Sequence, residues 1–192
     1  QVYTHVTTER LKKAYDAGVH TEAVRFMLAR AGDPLKARKQ TYVGHTMAIS
    51  DLSVSPDGKR LLSGGNDGLA IVWDIESGRK LREERVSDEP NRVFAKWIDG
   101  DRVILAGGRT VSVLRLASGE RVVLSDQPEP IFEVAYHDKS KLLAWTRGRE
   151  GTTSLLKLDS EQQTPVVLVS GKVGTSHIAI SPDGSGVAVA TS

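Results

Sequence analysis

The sequence has no cysteine, and this absence excludes two kinds of structure. Without thiols, the chain can form neither a disulfide framework nor a thiolate metal site. Its histidines do not compensate, because none stands at metal-ligand spacing from another histidine or a carboxylate. We therefore expect no metal and no cofactor. The five histidines are His5, His20, His45, His137 and His177.

The chain also lacks a strong charge of either sign. Its 26 basic and 24 acidic side chains nearly cancel, so no overall field draws it to nucleic acid or to a membrane surface. The longest apolar runs, such as Leu69–Trp73, are strand-sized and too short for a transmembrane helix. We therefore expect neither a nucleic-acid partner nor membrane association. The absence of cysteine fits the cytoplasm, the compartment we expect, but it also fits an exported protein whose signal peptide has been removed.

Signatures of catalysis are missing as well. The glycine-rich segments 63–68 and 106–109 lie between strand-like runs, and neither opens a helix or ends in Gly-Lys-Ser/Thr as a phosphate-binding loop does. No nucleophile-elbow motif is present. His137 follows a strand-like run and His177 lies within one, so ordinary polar surroundings explain both. We therefore expect that this chain is not an enzyme.

What the sequence does contain is a series of strands and turns between Gly44 and Gly78. The segments 55–58 (Ser-Pro-Asp-Gly) and 64–68 (Gly-Gly-Asn-Asp-Gly) are turn signals, because proline presets φ and glycine accepts a positive φ. Apolar alternation and β-branched residues predict strands between and beside them. The predicted strands are Ile49–Val54, Arg60–Ser63, Leu69–Ile75 and Lys80–Val86.

Three residue pairs in this stretch stand at a characteristic spacing. Gly44-His45 lies near its start, Asp67-Gly68 forms a turn, and Trp73-Asp74 lies near its end. In these features the stretch resembles the WD40 repeat, the four-stranded blade of a β-propeller. The resemblance implies an all-β fold of propeller blades. It leaves the function to be decided by the chemistry of the loops.

The resemblance also implies a network inside the blade. In WD40 blades a histidine, an aspartate, a serine or threonine and a tryptophan form a hydrogen-bonded chain; by motif position these are His45, Asp67, Ser63 and Trp73. Such a chain is chemically possible. The carboxylate can orient the histidine by a hydrogen bond, the histidine can bond to the hydroxyl, and the hydroxyl can accept a hydrogen bond from the indole N–H. A histidine, aspartate and serine could also suggest a hydrolase triad. The repeat spacing explains all four residues together, so we expect a structural network.

Further copies follow with a period of about 42 residues, which suits a propeller blade. Asp99-Gly100 lies 42 positions after Asp57-Gly58, and Asp183-Gly184 lies three such periods after Asp57-Gly58. The second and third copies keep the apolar alternation but lose the Trp-Asp pair. We predict propeller blades over residues 39–192, three of them complete and the fourth truncated.

Three blades and half of a fourth do not close an ordinary propeller. The simplest expectation is that the chain is a piece of a longer protein. Alternatively, a second copy or a partner chain completes the ring, or Gln1–Val6 or Lys39–Val43 supplies a strand to the last blade. An open ring would expose unpaired strand edges.

Residues 1–38 are predicted to form an N-terminal helical arm or linker ahead of the blades, because residues 7–32 show helical periodicity, which predicts a short α-helical hairpin. Its predicted helices are Thr8–Ala17 and Thr21–Ala31, the second with an apolar stripe of Val24, Met27, Leu28 and Ala31. This arm packs on the side or floor of the propeller, or is the tail of an upstream helical domain, or docks onto a partner protein. Residues 1–40 carry eight basic and four acidic side chains, but no aromatic residues interleave with the basic ones as base stacking would require.

The first functional hypothesis is a non-catalytic scaffold that binds a protein partner through its propeller loops. The second is the sensing or regulatory portion of a larger signalling enzyme, such as a kinase or an ATPase. A third is a structural subunit of a nucleoprotein assembly. The family typically binds partners through the face that carries the loop before the first strand and the turn between the second and third. Candidate partner-binding residues on that face are Thr46, Met47, Asn66, Arg92, Arg109, Arg147 and Arg149.

Overall fold

The computed structural model describes residues 22–28, 38–126, 128–148, 151–159, 164–169 and 175–191, and every regular element in these ranges is a β-strand. No helix among them is long and apolar enough to cross a membrane. The sixteen strands are β1 (Glu22–Leu28), β2 (Arg38–His45), β3 (Ile49–Val54), β4 (Arg60–Gly65), β5 (Leu69–Asp74), β6 (Lys80–Arg85), β7 (Val93–Trp97), β8 (Arg102–Gly107), β9 (Thr110–Arg115), β10 (Arg121–Asp126), β11 (Ile131–His137), β12 (Leu142–Arg147), β13 (Thr152–Lys157), β14 (Val166–Val169), β15 (Thr175–Ile180) and β16 (Val187–Thr191).

Twelve of these strands form three antiparallel sheets of four strands each. β3 to β6 form blade 1, β7 to β10 form blade 2 and β11 to β14 form blade 3, and in each sheet the strands lie side by side in chain order. β1 pairs with β2, and β15 pairs with β16, as two-stranded sheets. Up-and-down sheets of four strands that repeat along the chain are the blades of a β-propeller. The predicted all-β propeller fold is thus confirmed.

The turn after the first strand of a blade shows how sequence fixes geometry. In blade 1 the Ser55 N–H donates to the Arg60 carbonyl and the Gly58 N–H to the Ser55 carbonyl, both at 2.8 Å, and Gly58 has a φ of +71°. The turn between β15 and β16 repeats this pattern: Gly184 has the same φ and donates to the Ser181 carbonyl at 2.8 Å. A left-handed residue is needed at this place, and glycine adopts that conformation without a steric cost. β15 and β16 therefore correspond to the first two strands of a blade.

The hydrophobic core lies between neighbouring blades, where sheets face each other. The middle strands β4 and β8 are buried along nearly their whole length because both of their faces are covered. The outer strand β6 is largely exposed and highly charged, which protects an edge against unwanted pairing. The cluster between blades 1 and 2 contains Leu62, Ala70, Val72, Val93, Ala95, Trp97, Val103, Leu105 and Leu114. The cluster between blades 2 and 3 contains Phe94, Ile98, Ile104, Ala106, Val111, Ile131, Val134, Leu143, Trp145 and Leu156.

Polar contacts also join the innermost strands of blades 1 and 2. The Asp51 carboxylate accepts hydrogen bonds from the Ala95 N–H at 2.9 Å and the Lys96 ammonium at 2.6 Å. The Ser50 hydroxyl donates to the Val93 carbonyl at 2.7 Å. Between blade 3 and the last hairpin, His177 Nδ1 lies 3.1 Å from the Glu133 carboxylate. Adjacent blades are therefore held in register by side-chain bonds as well as by the core.

The prediction of a helix over Thr21–Ala31 is wrong. Glu22–Leu28 forms strand β1, which pairs antiparallel with β2 from the Glu22–His45 pair to the Leu28–Arg38 pair. Val24, Phe26 and Leu28 alternate with period two, a pattern that serves a strand when a partner edge is available. The other predicted helix, Thr8–Ala17, and the segment Gln1–Val6 lie outside the described residues. Lys39–Val43 belongs to β2 and pairs with β1; in the described ranges it has no pairing with the last hairpin.

Candidate interaction site

Four buried side chains form one chain of hydrogen bonds inside blade 1. His45 Nδ1 lies 3.0 Å from both carboxylate oxygens of Asp67, and His45 Nε2 lies 2.8 Å from the Ser63 hydroxyl. The Trp73 indole N–H donates to the same hydroxyl at 2.8 Å. An indole can only donate and an ionised carboxylate can only accept. His45 therefore donates from Nδ1 to Asp67, and Ser63 donates to Nε2.

Asp67 joins this network to the loops at the end of the blade. Burial alone would raise the pKa of Asp67, but hydrogen bonds from the Thr46 N–H, from His45 and from the Leu69 N–H together hold that pKa below its usual value. Thr46 follows β2 and Leu69 begins β5, and their N–H groups lie 2.8 Å and 3.2 Å from the carboxylate. The ionised carboxylate thus fixes two loops against each other.

The network has no side open to a substrate. The Ser63 and His45 side chains are fully buried, and the Ser63 hydroxyl is already occupied by both His45 and Trp73. A nucleophilic serine must reach a substrate carbonyl, and this one is enclosed. The arrangement stabilises blade 1.

Blades 2 and 3 contain no equivalent network among the residues that the structure describes. In blade 1, Ser63 on the second strand pairs with Ile71 on the third. The equivalent pair is Leu105 with Ser112 in blade 2 and Trp145 with Ser154 in blade 3. Leu105 and Trp145 therefore occupy the position of Ser63. The buried polar atoms of blade 3 that have no hydrogen-bond partner include Trp145 Nε1, Thr146 Oγ1 and Thr153 Oγ1. Blade 3 is therefore held by apolar packing and strand pairing, and it carries the cost of desolvated polar groups.

Loops from all three blades meet on one face, which we call the loop face: the turns at β2–β3, β4–β5, β6–β7, β8–β9, β10–β11 and β12–β13. Backbone hydrogen bonds join these turns in pairs. The Asn66 N–H donates to the Ala48 carbonyl at 2.8 Å and the Ile131 N–H to the Gly108 carbonyl at 2.8 Å. The second bond crosses from blade 3 to blade 2. The loop face is thus a connected surface.

The structure places the six described candidate residues on the loop face. Thr46, Met47, Arg92 and Arg109 are exposed, whereas Asn66 and Arg147 are half-buried. Met47 is 43% exposed, and the Arg92 guanidinium lies 5.8 Å from the centre of the Phe94 ring. Arg149 lies outside the described residues. Arginine and methionine are enriched in the cores of protein interfaces, so this surface has a suitable composition for a partner.

A cleft that was not predicted from the sequence lies on the loop face between blades 1 and 2. It has a volume of about 420 Å³, and its lining includes Asp88, Glu89, Arg109 and Asp126. The sequence feature that indicates this cleft is the acidic, proline-containing loop 87–90, which joins two predicted blades. No group of three or more histidine or carboxylate side chains in the described ranges is arranged to hold a metal ion. The cleft is therefore described by its shape and by the charges of its lining residues.

Comparisons with known proteins agree with this architecture. The family model for the WD domain, G-beta repeat, matches residues 36–74. The small ribosomal subunit protein RACK1z of Arabidopsis thaliana is 46% identical over 43 residues, which cover 22% of this chain and 13% of that protein. The ribosome biogenesis protein erb1 of Aspergillus fumigatus is 34% identical over 98 residues, which cover 50% of this chain and 11% of that protein. The alignments thus span only a small part of these relatives.

Solved structures show the same fold over most of the chain. A chain in the crystal structure of the mitotic checkpoint complex superposes with a TM-score of 0.69 at 21% identity, covering 89% of this chain and 56% of that chain. The β-propeller domain of Cps50 (Swd1) from Myceliophteria thermophila superposes with a TM-score of 0.66 at 17% identity, covering 88% of this chain and 55% of that chain. This chain spans about half the length of each of these propeller chains.

Proposed function

From the WD40 repeat and the β-propeller fold that this chain carries, we propose that it acts as a non-catalytic scaffold that binds a protein partner through the loop face. The observation that carries this proposal is the loop face itself. Turns of three blades lie together there and are fixed by bonds such as that from Ile131 to Gly108. Exposed Met47, Arg92 and Arg109 project from these turns.

A rigid, composite surface suits binding to another protein. Ordering loops on association costs conformational entropy, and loops that are already fixed avoid much of that cost. Asp67 contributes directly, because its carboxylate holds the Thr46 N–H on one turn and the Leu69 N–H beside the next. The network of blade 1 therefore supports the surface that we propose for binding.

The relatives support the same class of function. Two of their names refer to assemblies, a small ribosomal subunit protein and the mitotic checkpoint complex, and a third is that of a ribosome biogenesis protein. A propeller supplies a platform on which unrelated partners are bound by different loops. We infer a protein partner for this chain on that basis, and the loop chemistry determines which partner.

The test compares capture of partners by two triple variants of matched composition. The loop-face variant is Met47→Ser, Arg92→Ser, Arg109→Ser. The control is Val54→Ser, Lys59→Ser, Arg79→Ser, which removes an exposed apolar residue and two exposed cations on the opposite side of the blades. Proteins retained from an extract of the source cells are measured by quantitative mass spectrometry.

We expect the loop-face variant to lose the proteins that the unmodified chain retains, while the control keeps them. Circular dichroism establishes that both variants are folded. Equal retention by the two variants would show that the loop face is not the binding surface, and the proposal would fail.

A further inference from the structure

The outermost strand of blade 3 differs in composition from the outermost strands of blades 1 and 2. β14 consists of Val166–Val169 and has no charged or polar side chain. In contrast, β6 has five charged residues among its six, and β10 begins with Arg121 and ends with Asp126. Charged side chains on an outer strand protect its edge against pairing with other chains. The edge of β14 lacks this protection.

Side-chain bonds also link the outer strands of blades 1 and 2 to each other. Arg121 of β10 reaches across to blade 1, where its guanidinium donates to the Arg85 carbonyl at 3.0 Å and lies 3.1 Å from the Glu84 carboxylate. Glu84 pairs in turn with Arg82 of its own strand at 2.5 Å. Among the described residues, no such bond involves β14, so its edge is left uncovered.

β14 has one paired edge and one free edge among the described strands. It is the last strand of its sheet, and it pairs with β13 from the Leu155–Val166 pair to the Thr153–Val169 pair. β16 also ends a sheet, but it corresponds to the second strand of a blade, whose far edge pairs with a third strand in blades 1 to 3. A fourth strand has no further neighbour in the order of the blade. The outer edge of β14 therefore presents backbone N–H and C=O groups to a strand from outside.

The side chains along this edge are apolar and accessible. Val166 is 60% exposed, Val167 51% and Leu168 45%. Because successive side chains of a strand point to opposite faces, apolar surface flanks the free edge on both faces of the sheet. Val122 and Val123 are exposed to a similar degree, at 47% and 55%, but they lie on β10, whose ends are charged. β14 thus combines a free backbone edge with uncharged, apolar flanks.

The dimensions of this edge favour a flexible segment over a second folded copy of the chain. A strand of four residues is about 13 Å long. Two copies that met only along β14 would bury a narrow strip, far below the area of about 800 Å² per partner that a stable interface requires. An extended segment, in contrast, can follow the edge closely, form main-chain hydrogen bonds and lay its alternate side chains on both faces.

We propose that the free edge of β14 binds an extended segment of a partner protein, which joins blade 3 as a fifth strand. The segment is uncharged and rich in β-branched residues. Its side chains pack beside Val166 and Leu168 on one face and beside Val167 on the other, as cross-strand pairs do. This surface uses no residue of the loop face, so the inference goes beyond the proposed scaffold function and does not depend on it.

The experiment measures the fluorescence anisotropy of a labelled peptide of alternating threonine and valine, titrated with the 192-residue chain. The ligand control is the same peptide with N-methylated backbone amides, which keeps the side chains and removes the donors. The edge variant is Val166→Lys, Val167→Lys. Its matched control is Val122→Lys, Val123→Lys, which makes the same change at two neighbouring exposed valines of β10.

We expect the peptide to bind the unmodified chain and to bind the edge variant about tenfold more weakly, because lysines on an edge strand oppose pairing. The matched control should stay within about twofold of the unmodified chain, since surface substitutions away from the contact have small effects. The N-methylated peptide should not bind. The loop-face variant should bind the peptide as the unmodified chain does, and circular dichroism checks that every variant is folded.

Amide hydrogen exchange locates the bound peptide independently of any substitution. Pairing protects backbone N–H groups from exchange, so the peptide should slow exchange in residues 166–169 and leave β10 unchanged. Protection of β10 instead of β14 would place the contact on the wrong strand and overturn the inference.

Three other results would also overturn it. Equal binding of the N-methylated peptide would show apolar adhesion without strand pairing. Equal weakening by the edge variant and its matched control would show that β14 has no special part. No binding of the threonine–valine peptide, with no protection of residues 166–169, would show that this edge does not accept a strand. Each of these leaves the scaffold proposal intact, because that proposal is tested by the loop-face variant.

Discussion

Tyr42 lies edge-on against Trp73, with ring centres 5.6 Å apart and planes at 61°. Tyr42 belongs to β2, ahead of blade 1, and its hydroxyl donates to the Ile75 carbonyl just past β5 at 3.2 Å. Offset and edge-to-face aromatic pairs are favourable beyond the area that they bury. The strand before the blade is therefore locked onto the blade's third strand.

The first prediction compares two buried tryptophans. Trp73 and Trp145 are both buried, but only the Trp73 indole N–H has a hydrogen-bond partner, Ser63. Trp73→Phe should therefore lower the free energy of unfolding by about 1–2 kcal/mol more than Trp145→Phe does. Urea unfolding followed by circular dichroism measures both. Equal losses would show that the bond to Ser63 adds no net stability.

The second prediction concerns the contact between blades 1 and 2. The Gly64 backbone lies against the Val93 carbonyl oxygen so closely that an added Cβ would overlap it, whereas a Cβ at Gly100 would meet nothing within 4 Å. Gly64→Ala should cost about 1–3 kcal/mol, because overpacking forces the backbone to shift. Gly100→Ala should change stability by less than about 0.5 kcal/mol. Thermal unfolding of the two variants measures both changes. If Gly64→Ala did not lower the stability, the close contact between Gly64 and Val93 would not be needed to hold blades 1 and 2 together.

The third prediction is a gain of stability in blade 3. Thr146 and Thr153 are fully buried, face each other across β12 and β13, and have no partner for their hydroxyl groups. Replacing both by valine keeps the shape and removes two desolvated polar atoms, so the free energy of unfolding should rise by about 1 kcal/mol. Ser63→Ala removes a hydroxyl that is hydrogen-bonded to His45, so this variant should lower the free energy of unfolding. A loss of stability in the double valine variant would indicate that the hydroxyls are bonded in solution.

The fourth prediction follows from Asp67. Its folded-state pKa is lowered, so its ionised form stabilises the fold; this contribution is complete above the ordinary value of 3.8 and is lost as the pH falls through the lower folded-state pKa. The difference in unfolding free energy between the unmodified chain and Asp67→Asn should therefore be constant near neutral pH and shrink below about pH 4.

Chemical unfolding at a series of pH values measures that difference. Glu76→Gln, on an exposed opposite loop, should show no such trend. A difference that stayed constant into strong acid would contradict a stabilising carboxylate.

The sequence predicted blade 1 well, because its strands, turns and polar residues are local and recur at fixed spacing. His45, Ser63, Asp67 and Trp73 lie within 29 residues of one another. The segment Glu22–Leu28 could not be assigned in this way. Its apolar residues satisfy both a helical and an alternating pattern, and the outcome depends on the edge of β2, to which it pairs through residues 38–45. Tertiary context decided between two locally acceptable structures.

The cleft between blades 1 and 2 could not be predicted from local sequence for a different reason. Asp88 and Asp126 are 38 positions apart, and they face one cleft only because successive blades stack side by side. That proximity is not visible in composition or spacing.

The polar bonds that join blades 1 and 2 also imply an order of folding. Blade 1 gathers its network from a short stretch of chain, so little loop entropy is lost when it forms. Once formed, it presents Ser50 and Asp51 to the backbone of β7, which gives blade 2 a template. Repeat proteins fold by nucleation and propagation between neighbours. We therefore expect blade 1 to form first and blade 2 to form against it.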